Sequence, residues 1–141
     1  MLTGKVEKIH FARFDENEDL LESIRKAADS KGVKAGAFFV IGAVKMAVIG
    51  FYKDKKYITI ELKRHLEIAS CSGNVAVGPE NETIVHAHII VSDEKGQAFG
   101  GHLFQGTLVG PTAELVLFEV KGINMKRVLD EKSNLKLLEL G

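Results

Sequence analysis

Three of the chain's five histidines, His86, His88 and His102, stand in one short stretch, VHAHIIVSDEKGQAFGGHLF, residues 85–104. Three neutral imidazoles can hold a divalent metal and leave a coordination position open. Zinc is the first expectation, because imidazole suits its borderline softness; nickel, cobalt and copper accept the same ligands. The competing reading is three polar residues that merely share a hairpin. The choice between them depends on register. SDEKGQ separates two apolar-alternating runs and ends its loop on glycine, the pattern of a three-residue hairpin closed by a left-handed residue. With Glu94 to Gly96 as the loop, Asp93 pairs with Gln97, His88 falls opposite His102, and His86 falls opposite Phe104. Residues two apart on a strand share a face, as do directly paired residues, so all three rings emerge on one side. A two- or four-residue loop moves His102 opposite Ala87, on the other face. A metal site also needs acceptors that orient the rings, and Glu67, Glu82 and Asp93 are the candidates. His10 and His65 have no such geometry and read as surface residues.

The elements that must position these residues follow from pattern. KVEKIHFARF (5–14) reads as a first strand. The helix signal is DENEDLLESIRKAADSKG, with Asp15 or Asn17 as cap, Leu20, Leu21, Ile24, Ala27 and Ala28 at helical spacing, and Gly32 as its stop. FFVIGAVKMAVIGFY (38–52) is β-branched, aromatic and glycine-punctuated, which predicts one long strand or two broken near Gly42. Further strands are expected over 57–62, 66–77, 84–91, 97–108 and 114–120. The tail, 124–140, is expected to form a turn of helix and a last short strand. The sum is seven or eight strands and one principal helix near the N-terminus: an α+β domain with a mainly antiparallel sheet, spanning 1–141 as one unit. The five glycines at 96, 100, 101, 106 and 110 suggest close packing, between subunits among other places, rather than a phosphate loop, since no G-K-S/T follows them.

Composition excludes several classes. Lys plus Arg and Asp plus Glu both number 19, giving a formal net charge of zero with no basic arm. Binding to nucleic acid without sequence preference draws on a basic surface, so it is not expected. No apolar run reaches the length of a membrane span, and the N-terminal stretch lacks the core of a secretory signal, so the cytoplasm is expected. Cys71 is the only cysteine. It permits no internal disulfide and no thiolate cage, and it sits in a strand-like run as a small buried residue.

The chain resembles the plants-and-prokaryotes conserved domain, known in plants from nuclear AT-hook proteins. IGAVKMAVIGFY (41–52) looks like the family's G-A-V strand, RHLEIASCSGNVAV (64–77) like its E-I-L-S-x-S-G-x strand, and 86–119 like its most distinctive block. The resemblance implies a compact α+β fold, a homotrimer, and a metal, often zinc, held where H-x-H and G-G-H occur. On this chain those motifs point to His86, His88 and His102. The plant domains generally lack the triad, and no R-G-R-P hook stands in this sequence. Three functions are therefore weighed: a trimeric metal protein that binds or senses a small ligand; a hydrolase-like enzyme using metal-activated water, with Glu67 as general acid or base; and a DNA-associated or scaffolding protein.

Overall fold

A computed structural model describes residues 1–141. The chain forms β1 (Lys5–Asp15), α1 (Leu20–Ser30), β2 (Gly36–Lys53), β3 (Lys56–Leu62), β4 (Leu66–Val77), β5 (Thr83–Ser92), β6 (Ala98–Leu103), β7 (Leu108–Lys121), β8 (Met125–Asp130) and β9 (Leu135–Leu140). The nine strands make a single sheet, ordered β1-β7-β2-β6-β5-β4-β8-β9, with β3 paired to β2. All ladders are antiparallel except the single β4–β8 bridge, Val77 to Lys126. No helix is long and apolar enough to cross a membrane.

The long apolar run does become one strand, and its length is what curls the sheet. The first half of β2 pairs with β4 and β7, while its second half pairs with β3 and touches β6. Its register with β4 shifts between Val40 and Ala43, around Gly42. Such a bulge bends and twists a strand. Because β4 pairs with β5 and β5 with β6, the circuit β2–β4–β5–β6 closes on itself. The inner face holds a core that includes Val40, Val44, Ile89, Val91, Leu103, Leu115 and Leu117. Helix α1 covers it with Leu20, Ile24 and Ala28, all fully buried. A buried Leu or Ile of this kind stabilises by about 1.5–3 kcal/mol relative to exposure.

Four expectations need correction. The sheet has nine strands rather than seven or eight. The helix is capped by neither Asp15 nor Asn17: Asp15 ends β1, and Asn17 takes a left-handed φ of 73° in the turn that follows. Asp19 caps instead, because its carboxylate accepts from the Glu22 amide at 3.0 Å and from the Gly106 amide at 2.6 Å. That second bond ties the helix start to the turn after β6. The strand expected over 97–108 ends at Leu103, and Leu108 already begins β7. The tail has no helix. Asp130 accepts from the Ser133 amide and hydroxyl at 2.8 and 2.6 Å, which folds residues 130–134 into a turn and pairs β8 with β9.

Cys71 is 2% exposed, and burial pushes its thiol up to about 12, so it is packing rather than a nucleophile. Gly73 is set by close approach. A Cβ there would run into the carbonyl oxygen of His86 and lie 2.7 Å from the Phe38 ring. Gly73→Ala is expected to cost about 2 kcal/mol or more, the scale of core overpacking. A urea denaturation series checks it, and an unchanged midpoint contradicts the tight β4–β5 contact.

A candidate metal centre on the outer face of the hairpin

The β5–β6 turn forms as the sequence predicts. The Asp93 amide donates to the Gln97 carbonyl at 3.1 Å, and Gly96 has a φ of 74°. The Asp93 carboxylate accepts from the amides of Lys95 and Gln97 at 3.0 and 2.9 Å, so the loop is locked by its own first residue. His88 then pairs with His102. The odd-numbered residues Ala87, Ile89 and Val91 point into the core, which leaves His86, His88 and Ile90 on the outer face.

The three imidazoles converge. One nitrogen from each of His86, His88 and His102 can be chosen so that all lie within 4.8 Å of one another. The ring centroids stand 5.0 to 5.6 Å apart. Zinc–nitrogen bonds of about 2.0–2.1 Å in a tetrahedron need nitrogens roughly 3.3 Å apart, so modest ring rotations complete the set. The donor chemistry fits a borderline divalent metal.

Neighbouring strands supply the surroundings. Gly50 of β2 lies opposite His102, and Tyr57 of β3 packs its ring 4.8 Å from the His102 ring, with its hydroxyl 3.4 Å from Nδ1. Phe104 packs on the same imidazole at 4.8 Å. It does not pair with His86: the β5–β6 ladder stops at His88, and the Phe104 amide donates to Val48 instead. Asn74 of β4 lies opposite His86. Arg127 of β8 reaches across to both, donating from Nη2 to Asn74 Oδ1 at 2.6 Å and to His86 Nδ1 at 3.1 Å. Next to these rings lies a cavity of about 250 Å³ lined by Tyr57, His86, His102, Arg127 and the apolar side chains of Ile84, Val85, Leu135 and Leu137.

The carboxylates do not gather there. Asp93 serves the hairpin turn and Arg64, and Glu82 accepts from the Glu80 amide and pairs with Lys136. Glu67 pairs with Ser92, four residues along β5 from His88, about 13 Å at strand spacing. It lines a different depression, with His65, Asp93 and Pro111. His10 is not a free surface residue: its Nε2 sits 2.9 Å from Glu119 Oε2 across the β1–β7 ladder. Arg127 and Tyr57, missed by sequence reasoning, are the polar neighbours of the imidazoles. Tyr57 stands in a predicted strand and had a findable signal; Arg127 stands in a tail expected to form a turn of helix and one short strand, and had none.

Burial lowers the imidazoles' affinity for protons. His102 is brought down to about 4, by burial first and then by His86, His88 and Arg127. His86 is lowered by burial and then by Arg127 and His88. Both rings are therefore neutral at pH 7, the form that ligates. The same shifts make stability depend on pH. An unfolded imidazole takes up its proton near 6.5, but His102 in the fold resists until about 4. The unfolded chain thus binds more protons in that window, and stability falls as pH drops through it. For chelator-treated protein, the urea midpoint is expected to fall from pH 6.5 to 4, and to fall less steeply in His102→Phe. Equal slopes in the two proteins would show that His102 is not held neutral by the fold.

Comparison with known proteins agrees with this architecture. Residues 1–121 match the model of the Plants and Prokaryotes Conserved (PCC) domain. A crystal structure of a metal-containing protein from Archaeoglobus fulgidus is 33% identical and superposes with a TM-score of 0.89, covering 99% of this chain and 98% of that one. A plant- and prokaryote-conserved protein from Pyrococcus horikoshii is 31% identical with a TM-score of 0.88, covering 100% and 99%. Among curated relatives, the bifunctional protein GlmU of a Synechococcus strain is 32% identical over 111 residues. That match takes in 78% of this chain but only 16% of the relative's length. The closed β2–β4–β5–β6 circuit and its histidine hairpin are thus carried by a chain that belongs to the Plants and Prokaryotes Conserved domain family.

Proposed function

We propose that His86, His88 and His102 hold one divalent metal, zinc before nickel, cobalt or copper, and that the protein binds or senses a small ligand there as a homotrimer. The observation that carries this reading is the convergence of three imidazoles beside a cavity large enough for a small molecule. The Archaeoglobus fulgidus relative, described as metal-containing, supports it. Binding is preferred to catalysis because no carboxylate lines the cavity, so a metal-bound water would have no carboxylate base beside it. Glu67 was the expected base, and its position four residues along the ladder weakens the hydrolase reading within one chain. With equal numbers of acidic and basic residues, the reading does not extend to nucleic acid.

The trimer is supported by an uncovered apolar face. Ile9 and Phe11 of β1 and Phe39 and Ile41 of β2 flank Val116 and Phe118 of β7 on one side of the sheet. Phe11 is 77% exposed and Ile41 55%. A contiguous apolar patch of this kind marks an interaction surface. In a closed three-fold ring each copy lays this face against a different patch of its neighbour, so all three faces are covered at once.

Two experiments test the proposal. Protein purified without a histidine tag is expected to carry about one zinc per chain by elemental analysis. His86→Ala/His102→Ala should lose the metal and keep its circular dichroism spectrum. Chelation should lower Tm and added zinc restore it, the metal adding about 2.7 kcal/mol of stability when free metal is a hundredfold above Kd. A folded parent that takes up no metal at neutral pH would falsify the metal centre. For assembly, light scattering is expected to give three times the 15.4 kDa chain mass for the parent and the monomer mass for Phe11→Glu. A monomeric parent contradicts the trimer, and so does a trimeric Phe11→Glu.

A further inference from the structure

Arg127 is 6% exposed, yet it belongs to none of the chain's ion pairs. Its acceptors are all neutral: the Lys136 carbonyl at 3.2 Å, Asn74 Oδ1 at 2.6 Å and His86 Nδ1 at 3.1 Å. Its Nε is buried and has no hydrogen-bond partner. A guanidinium cannot shed its proton, and a buried charge without a counter-charge is costly. The cavity it lines has no acidic residue, and the Lys136 ammonium on the same wall is already paired with Glu82 at 3.5 Å. The electrostatic gap is therefore for a negative group.

Metal binding widens that gap. A three-imidazole site brings no negative ligand, so a divalent ion would add two positive charges beside Arg127. It also conflicts with one existing bond. Arg127 only donates, so the His86 Nδ1 it contacts carries a lone pair, and neutral His86 keeps its proton on Nε2. If His86 ligates through Nε2, the proton moves to Nδ1 and that contact with Arg127 is lost. The guanidinium then has a further donor without an acceptor. The rest of the cavity wall is apolar: Ile84, Val85, Leu135 and Leu137.

The geometry points to a ligand-binding subsite in which Arg127 receives the oxyanion of a small organic acid, whose short apolar body lies against Ile84, Val85, Leu135 and Leu137. This deepens the metal-site reading and rests on it only for the ion's added charge, because the buried guanidinium is present without metal. The wall that carries Arg127 belongs to the β8–β9 hairpin, residues 125–140, beyond the 1–121 match to the family. The hairpin thus supplies Arg127, Leu135 and Leu137 to the cavity, and the Archaeoglobus fulgidus and Pyrococcus horikoshii relatives extend over that part of the chain as well.

The test uses butyrate, a carboxylate with a short apolar tail, on metal-free and zinc-loaded protein. The readout is the Arg127 Nε–Hε NMR signal, identified by its absence in Arg127→Lys. Butyrate is expected to shift that signal saturably in both forms, and more tightly with zinc. Arg127→Lys should weaken butyrate binding at least about tenfold, as loss of a charged hydrogen bond implies, while its zinc content stays at the parent's level. An Arg127 signal that no butyrate concentration moves overturns the proposal, even where zinc is bound. Inorganic phosphate binding as tightly as butyrate overturns the organic-acid assignment. A parent that binds butyrate at Arg127 but takes up no zinc sinks the metal reading and leaves this one standing. Should Arg127→Lys fold poorly, triple-resonance NMR assigns the Arg127 Nε–Hε signal in the parent itself, and its saturable shift still decides the matter.

Discussion

The turn from Asp93 to Gln97 fixes whether there is a site at all, because a strand's side chains alternate faces and one residue of slip reverses every one of them. Asp93 holds that register twice over, through its backbone bond to Gln97 and through a carboxylate that collects two amides of the loop. With the turn set, His88 must face His102, and His86 must lie beside them. The core enforces the same answer from the other side of the sheet. Ala87, Ile89 and Val91 are almost completely buried, and any slip would exchange them for imidazoles in an apolar interior. Local turn chemistry and burial agree, which is what makes the placement of the histidines firm.

What the hairpin does not supply is a wall, and the curl of the sheet provides one. Strand β2 is long enough to pair with β4 and β7 at one end and with β3 and β6 at the other. That double engagement carries Tyr57 to the His102 ring. The opposite wall comes from β8 and β9, which join the sheet through a single parallel bridge to β4. Side chains make up for that thin backbone contact: Arg127 to Asn74 and His86, Tyr52 to the Ser133 carbonyl, Lys136 to Glu82. Two of the hairpin's fastening side chains, Arg127 and Lys136, also line the cavity. Fastening and ligand recognition therefore share Arg127, and loosening one perturbs the other.

The legible parts of the sequence were those governed by neighbours in the chain. The histidine hairpin is decided within about twenty residues by a glycine, an aspartate and an alternation, and it forms as read. Strand β4 has the expected ends, Leu66 and Val77, for the same reason. The misreadings concern residues whose partners are distant. Asp19 caps the helix rather than Asp15 because β1 continues through Asp15 to pair with Thr112 in β7, and because Asp19 also meets the Gly106 amide. The tail was expected to hold a turn of helix before one short strand, yet an aspartate-locked turn and long-range bonds to Asn74 and Tyr52 make it a two-stranded hairpin. Arg127 was invisible because nothing near it in sequence says that it will be buried. The carboxylates were overvalued for the converse reason: an acidic residue near a histidine in sequence is cheap to find, and here Asp93 and Glu82 are engaged elsewhere while Glu67 lines a different depression.

The contact between Arg127 and His86 gives the site its logic. A ligating imidazole ordinarily donates its second N–H to a carboxylate or carbonyl, which orients the ring and raises its basicity. His86 has a cation in that position instead. Burial first, and the guanidinium after it, depress the ring's proton affinity, which keeps it free to ligate, while the guanidinium also opposes the N–H that ligation through Nε2 requires. A neutral pocket cannot relieve both demands. An incoming oxyanion can, because it accepts from the guanidinium, offsets the metal's charge and lets the His86 proton turn toward a new acceptor. Metal and acid are then coupled through one side chain, and each should bind more tightly in the presence of the other, since coupling free energies are reciprocal. A protein arranged this way would bind an organic acid more tightly once its metal is in place, through the one guanidinium that both sites share.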